Sequence, residues 1–220
     1  MSRTLKTDIP GMDWRVGLDE VARRGPSALF DVAPPPRLVL DVGFGRGEFL
    51  HALAEKDAGV GFLGLEYSRK RVLKMARRLA LTELRNVRLV HAPAQLVFER
   101  AIPTASVHRC WINFPDPWPK KRHASRRLVQ PAFIRDVARA LETDGLLEVA
   151  TDHLEYALWI DEVLAGEPML ENRHGTGWAR EAEGRPCTAY EAEWRAENRP
   201  LHFFTYVRRT GVASSELRCT

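Results

Sequence analysis

The chain has 220 residues, 45% of them apolar and 28% charged, enough to bury one good core and too few for two full-sized domains. Its 33 bases against 29 acids leave a net charge of +4, a weak overall bias toward anionic partners. No stretch approaches the ~18 apolar residues of a membrane span, and the first residues lack an apolar signal core, so a soluble cytoplasmic protein is expected.

Residues 1–36 read as an N-terminal extension closed by Pro34, Pro35 and Pro36, which resist both helix and central strand. Next, "RLVLDVGFGRGEFLHALAEK" is a short apolar run, a glycine turn and a helix with Phe49, Leu50 and Leu53 on one side. The pattern repeats: "VGFLGLE" is a second strand before a basic helix, and "NVRLVHA" a third before "AQLVFERAI". A fourth strand covers residues 107–114. After a proline-rich segment comes the amphipathic helix "LVQPAFIRDVARAL", and then a fifth strand, "GLLEVAT". The helix "DHLEYALWIDEVLAG" stops at Gly166. Near the end, "TAYEAEWRAEN" is helical and "LHFFTYVRR" is a strand with no helix after it, as an antiparallel closing strand would be. This order implies an α/β fold, a doubly wound, mostly parallel sheet with an antiparallel C-terminal strand. The domain itself is expected over residues 37–209, with a loose polar tail at 210–220.

Cations cluster in two runs. "RKRVLKMARR" holds six and no acid, and "KKRHASRR" holds five plus a histidine, together a third of all bases. A solvated helix face explains either run alone; two of them point to a polyanion. Three cysteines, Cys110, Cys187 and Cys219, lie far apart with no C-x-x-C spacing, so reduced thiols and no metal site are expected.

In "LDVGFGRGEF" the glycines Gly43, Gly45 and Gly47 are spaced G-x-G-x-G. A dinucleotide G-x-G-x-x-G needs its third glycine where Glu48 stands. Asp41 ends the first strand and Glu66 the second. Carboxylates beside a glycine turn suit S-adenosylmethionine, whose ammonium and sulfonium replace the pyrophosphate of NAD. A tight turn without a ligand is the plainer reading of the glycines alone.

The segment "NFPDPWPKKRHASRR" holds one acid, Asp116, between Pro115 and Pro117, with Pro119 close behind. Prolines fix φ and remove backbone donors, which stiffens the segment and preorganises the carboxylate; an Asx-type turn is the structural alternative. Guanine N7 has a lone pair and no proton, so its methylation needs alignment and charge stabilisation rather than a general base. A carboxylate that accepts from guanine N1 and N2 supplies both. Trp118 either stacks on the base or is buried. Lys120, Lys121, Arg122, His123, Arg126 and Arg127 are then the phosphate contacts of a nucleic-acid substrate.

These motifs resemble the bacterial tRNA (guanine-N7)-methyltransferases. "LDVGFGRGEFL", "FLGLE", "NFPDPWPKKRHASRR", "EVATDHLEYA" and "TAYE" stand in that family's order over residues 36–208. The resemblance implies a Rossmann-like fold and methyl transfer from S-adenosylmethionine to N7 of the variable-loop guanosine of tRNA. It implies donor contacts at Asp41, Gly43, Gly45, Glu66 and Asp116, with Asp116 also catalytic, and substrate contacts at Lys120, Asp152, Thr188, Ala189, Tyr190 and Glu191. RNA contacts are implied at Arg122, His123, Arg126 and Arg127. The chain departs from the family at "HAPAQ", where Pro93 replaces an acid or amide near the adenine and offers only its carbonyl and its shape. Structural roles exist for the same residues: "TAYE" is a T-x-x-E capping box, and Asp152 is placed to cap the helix after the fifth strand. A monomer is expected, a dimer being the alternative, with tRNA as partner and no membrane. Three other readings compete. One is an adenine or cytosine amino methyltransferase, from the loose likeness of "NFPDPW" to an N/D-P-P-aromatic loop. The others are a non-catalytic RNA-binding protein with a degenerate donor pocket, and an NAD-dependent oxidoreductase, which lacks both the third glycine and a hydride-handling constellation.

Overall fold

The structure, a computed structural model, describes residues 8–30, 35–82, 84–182 and 184–210, except the side chain of Lys121. Residues 211–220 of the loose tail expected at 210–220 lie outside the described residues, as does Pro34. The chain divides after Ile102 into two units.

The first unit carries β1 (Arg15–Val16), α1 (Leu18–Arg24), β2 (Leu38–Val42), α2 (Glu48–Lys56), β3 (Gly61–Glu66), α3 (Arg69–Thr82), β4 (Val87–His91) and α4 (Ala94–Ala101). Its strands lie in the order β1-β4-β3-β2, every pair parallel. All residues of β2 and β3 are buried, which is why both read as continuous apolar runs rather than alternating ones. The expected alternation of strand and helix is present. β1 and α1 were not legible: two residues are too few for a period. Leu89 N–H donates to Trp14 O at 2.8 Å, the Trp14 ring is buried, and α1 packs on α4. Residues 14–24, expected as part of an extension, thus belong to the packed body of this unit, because an edge strand and a helix bury apolar surface that β4 and α4 leave open.

The second unit carries β5 (Val107–Asn113), a 3₁₀ turn (Lys121–Arg126), α5 (Pro131–Ala140), β6 (Leu141–Thr151), α6 (Leu154–Ala165), β7 (Leu170–Asn172), α7 (Ala189–Ala196) and β8 (His202–Arg208). The order is β5-β6-β8-β7, with β5 and β6 parallel and β8 antiparallel to both β6 and β7. The antiparallel closing strand is therefore present, with the short β7 beyond it. β6 begins four residues before the expected "GLLEVAT", and its register against β5 shifts between Val107 and Arg109. Gly145 is needed there, since a Cβ would lie 2.8 Å from Glu142 O and 3.0 Å from Val107 O. Strand alternation puts Cys110, Ile112, Leu147, Val149, Phe204 and Tyr206 on one face, all buried. The opposite face presents Trp111, Asn113, Glu148, Phe203 and Thr205. Several of these line a cavity of about 610 Å³ that Arg109, His174, Glu181 and Arg185 complete. No described helix is long and apolar enough to cross a membrane.

Candidate active site

The first unit's loop is shaped by backbone. After buried Asp41, the chain turns through Gly43, Gly45 and Gly47 with φ of 71°, 58° and 81°, left-handed values at which a side chain costs about 1–2 kcal/mol. A Cβ on Gly43 would meet nothing within 4 Å, so the turn is open there. On Gly47 it would collide with Met75 Sδ, so the third glycine serves packing against α3.

Glu66, 2% exposed, ties this turn down. Its Oε2 accepts from Gly45 N–H at 3.1 Å and lies 3.5 Å from Arg71 Nη1, and its Oε1 accepts from Ser68 N–H at 2.8 Å. Oε1 retains a second lone pair for a ligand hydroxyl. Pro93 caps α4, with its carbonyl accepting from Val97 N–H at 3.3 Å and its ring exposed. On α3, Arg71 and Arg78 are engaged by Glu66 and Glu48, while Arg69, Lys70 and Lys74 face solvent.

The second unit's loop is shaped by side chains. Phe114 and Trp118, two residues before and two after Asp116, sit at φ of 49° and 41°. Each precedes a proline, which bars right-handed helical backbone, and bulky residues at positive φ are strained by about 1–3 kcal/mol. Packing holds them there. Phe114 meets Trp194 of α7 edge-on at 4.8 Å, and Trp194 stacks on Tyr190 at 5.4 Å. Trp118 is covered by the Arg126 guanidinium at 5.0 Å and touched edge-on by His123 at 5.8 Å. One indole face is thus already taken by a cation rather than left for a base. Asp116 between them is exposed, not packed away.

The cations of the turn divide into two kinds. Lys120, Arg122 and Arg126 are exposed. Arg127, grouped with them on sequence, is 8% exposed and turned inward. Its Nε donates to Pro117 O at 3.1 Å, and its guanidinium lies 5.3 Å from the Tyr156 ring and 5.6 Å from that of Trp159. Burial pushes the Tyr156 phenol up to about 12. Arg127 therefore braces the proline loop against α6, which removes it from the surface where a phosphate would bind.

α7 begins as the capping-box spacing requires, with Thr188 Oγ1 accepting from Glu191 N–H at 3.0 Å. The Glu191 carboxylate, 4% exposed, is engaged elsewhere: Oε1 accepts from Arg195 Nε and Nη2 at 3.2 and 3.1 Å, and Oε2 lies 3.6 Å from Arg185 Nη2. Ala189 and Tyr190 are half-buried in the first turn. Asp152 does not cap α6, whose cap position is His153; its Oδ2 instead meets Arg199 Nη1 at 3.4 Å.

Arg185 went unremarked in the sequence reading. Its Nη2 also donates to Asn113 Oδ1 at 2.7 Å, and its guanidinium lies 5.3 Å from the rings of both Trp111 and Phe203. It couples the end of β5, from which the Asp116 loop departs, to the start of α7. The only signal was an arginine before a proline just ahead of a cap, "GRPCT", and nothing local says it is buried. In the same region burial pushes the Glu148 carboxyl up, against a bond from Thr205 Oγ1 at 2.7 Å and the nearby Arg109 and Arg185.

Comparison with known proteins bears on these features. Residues 36–204 match a family model described as "Putative methyltransferase". A tRNA (guanine-N(7)-)-methyltransferase of Leifsonia xyli subsp. xyli is 40% identical over 182 residues, 82% of this chain and 77% of that protein. The chain belongs to the tRNA (guanine-N7)-methyltransferase family. A second member, from Alkalilimnicola ehrlichii, is 41% identical over 70% of this chain and 65% of its own length. Among solved structures, the aminoglycoside resistance methyltransferase NpmB1 superposes with a TM-score of 0.57 at 15% identity, covering 87% of this chain and 93% of that one. That likeness shows the Rossmann-like methyltransferase fold. Family membership favours none of the three competing readings. In place of the free asparagine carbonyl that the amino-methyltransferase reading invokes, Asn113 Oδ1 here already accepts from Arg185 Nη2 at 2.7 Å.

Proposed function

We propose that this chain transfers a methyl group from S-adenosylmethionine to N7 of a guanosine in tRNA, the variable-loop guanosine by its family. The observation that carries the reading is Asp116, an exposed carboxylate held in a rigid loop bracketed by two strained, packed aromatics. The first unit's residues fit the donor. Asp41 and Glu66 are buried carboxylates beside an open, backbone-lined turn, a set that suits positive charge and ribose hydroxyls and repels a pyrophosphate. Asp41, Gly43, Gly45 and Glu66 would hold it, and when bound it supplies an electrophilic methyl group.

The protein's own task is positional. N7 carries no proton to remove, so Asp116 acts as an acceptor for guanine N1–H and the N2 amine, orienting the ring and offsetting the positive charge that grows on it as the methyl arrives. Lys120, Arg122, His123 and Arg126 carry the phosphates that flank the target, and Asp152, Ala189 and Tyr190 form the neighbouring substrate surface, with the buried Thr188 and Glu191 holding the start of α7 behind it. Incubation with labelled methyl donor and unmodified bulk tRNA, followed by nucleoside mapping, should yield labelled 7-methylguanosine. Label recovered only in methylated adenosine or cytidine, or no label at all, would overturn the proposal.

A further inference from the structure

Asn113 closes β5, immediately before Phe114 and Pro115 lead to Asp116. Its Oδ1 accepts from Arg185 Nη2 at 2.7 Å. A guanidinium has donors only, so the atom that faces Arg185 has to be the oxygen, and Nδ2 is directed away from it. Arg185 is in no position to let go. Its side chain is 5% exposed, lies between Trp111 and Phe203, and sits 3.6 Å from the equally buried Glu191 carboxylate.

Asn113 Nδ2 is shielded from solvent and has no hydrogen-bond partner. An unsatisfied buried amide donor costs about 1–3 kcal/mol. The orientation that carries this cost is set by Arg185, which holds the carbonyl oxygen. A donor kept unpaired by a rigid network of other residues, one step from the reactive loop, is a group reserved for a ligand acceptor.

We propose that Asn113 reads the target base, its Nδ2–H donating to guanine O6, and that Arg185 is the positioning residue that holds the amide in donor orientation. The inference rests on the guanine-N7 reading above and deepens it. Guanine presents the O6 acceptor next to N7, whereas adenine presents an amine donor at the same place. Donor would face donor with adenine, and both groups would be left buried and unpaired, the arrangement that gives the strongest rejection of a wrong substrate. Asp116 and Asn113 then divide the base edge, the carboxylate taking the N1 and N2 donors and the amide taking O6, and N7 stays free to react. An asparagine whose carbonyl is free does the reverse and accepts from an exocyclic amine. Arg185 holds that carbonyl, so the amide presents its donor instead.

The test uses the full chain and two tRNAs, one with guanosine and one with 6-thioguanosine at the target. Sulfur is a weak acceptor, while N1–H, the N2 amine and N7 are retained. The wild type should form the N7-methylated product from the thio-substituted tRNA about tenfold or more slowly in kcat/KM, the loss expected when a polar pocket group loses its partner. Asn113→Asp keeps the shape and a partner for Arg185 but removes the donor. Its rate on guanosine should fall by about tenfold or more, and the difference between the two tRNAs should shrink toward none. Arg185→Lys, which frees the amide to rotate, should shrink the difference part of the way. A wild type that is active on guanosine and indifferent to sulfur overturns the inference alone, whether or not the variants fold. So does an Asn113→Asp enzyme with the wild-type ratio. A wild type inactive on the guanosine tRNA overturns the functional reading and this inference with it.

Discussion

Residues 43–47 of the first unit hold their shape through glycine backbone and one buried carboxylate, whereas residues 113–119 of the second unit hold theirs through side chains recruited from far along the chain. In the first loop, left-handed φ values and bonds to Leu65 O and Glu66 Oε2 define the turn, and a side chain at any of the three glycines is a liability. In the second, Phe114 and Trp118 are forced into the same left-handed region despite their bulk. Trp194, Arg126, Arg127 and Arg185 keep the segment in place. A small ligand needs close backbone approach, which favours bare glycine. A nucleobase on a polyanion needs an oriented charge, which favours a braced, preorganised acid.

The contrast can be broken at either loop. The largest effect is expected at Asp116: Asp116→Ala should lower kcat about 10²–10³-fold with an unchanged melting temperature, because a positioned charge is lost and no core volume is. Methyl incorporation beside a thermal melt checks this, and undiminished turnover would sink the assignment. Arg127→Ala should cost about 2–3 kcal/mol of stability, through lost packing on two aromatics and a lost bond to Pro117 O. The salt dependence of tRNA binding should not change. For Gly47→Ala, urea denaturation should show a loss of about 2 kcal/mol, from positive φ together with a clash on Met75.

Arg126→Ala should do the opposite of Arg127→Ala. Stability holds while tRNA affinity falls a fewfold, and the slope of log affinity against log salt flattens by about one. The smallest effect concerns pH. Burial lowers the basicity of His202, whose Nδ1 lies 3.1 Å from Thr151 O and whose Nε2 lies 3.2 Å from Arg180 Nη1. A folded-state value below the ordinary 6.5 means that the unfolded chain binds the proton more readily. Stability should thus be full above 6.5 and decline as pH falls below it. His202→Gln should flatten that decline in denaturation curves taken from pH 8 to 5.

Much was legible locally. The G-x-G-x-G turn, the acids ending β2 and β3, the proline frame and the T-x-x-E cap are all short-range patterns that can be read from a few adjacent residues. Arg127 was misjudged because a run of cations carries no signal of which one turns inward, and Asp152 because a cap position depends on where the helix starts. β1 and β7 are too short to show a period, and the pairing of strands supplies what their own residues do not.

Residue types were set by the sequence alone: in the second unit a lone acid between prolines, in the first unit glycines where φ turns positive, and along the chain the motif order that marks the family. Only the tertiary structure decided that Arg185, 72 residues beyond Asn113, takes its carbonyl, and that Arg127 leaves the phosphate surface for two aromatic rings. The physical reason is range. Backbone geometry and capping act within a few residues, while the burial that orients an amide or turns an arginine inward belongs to segments that meet only when the sheet has formed.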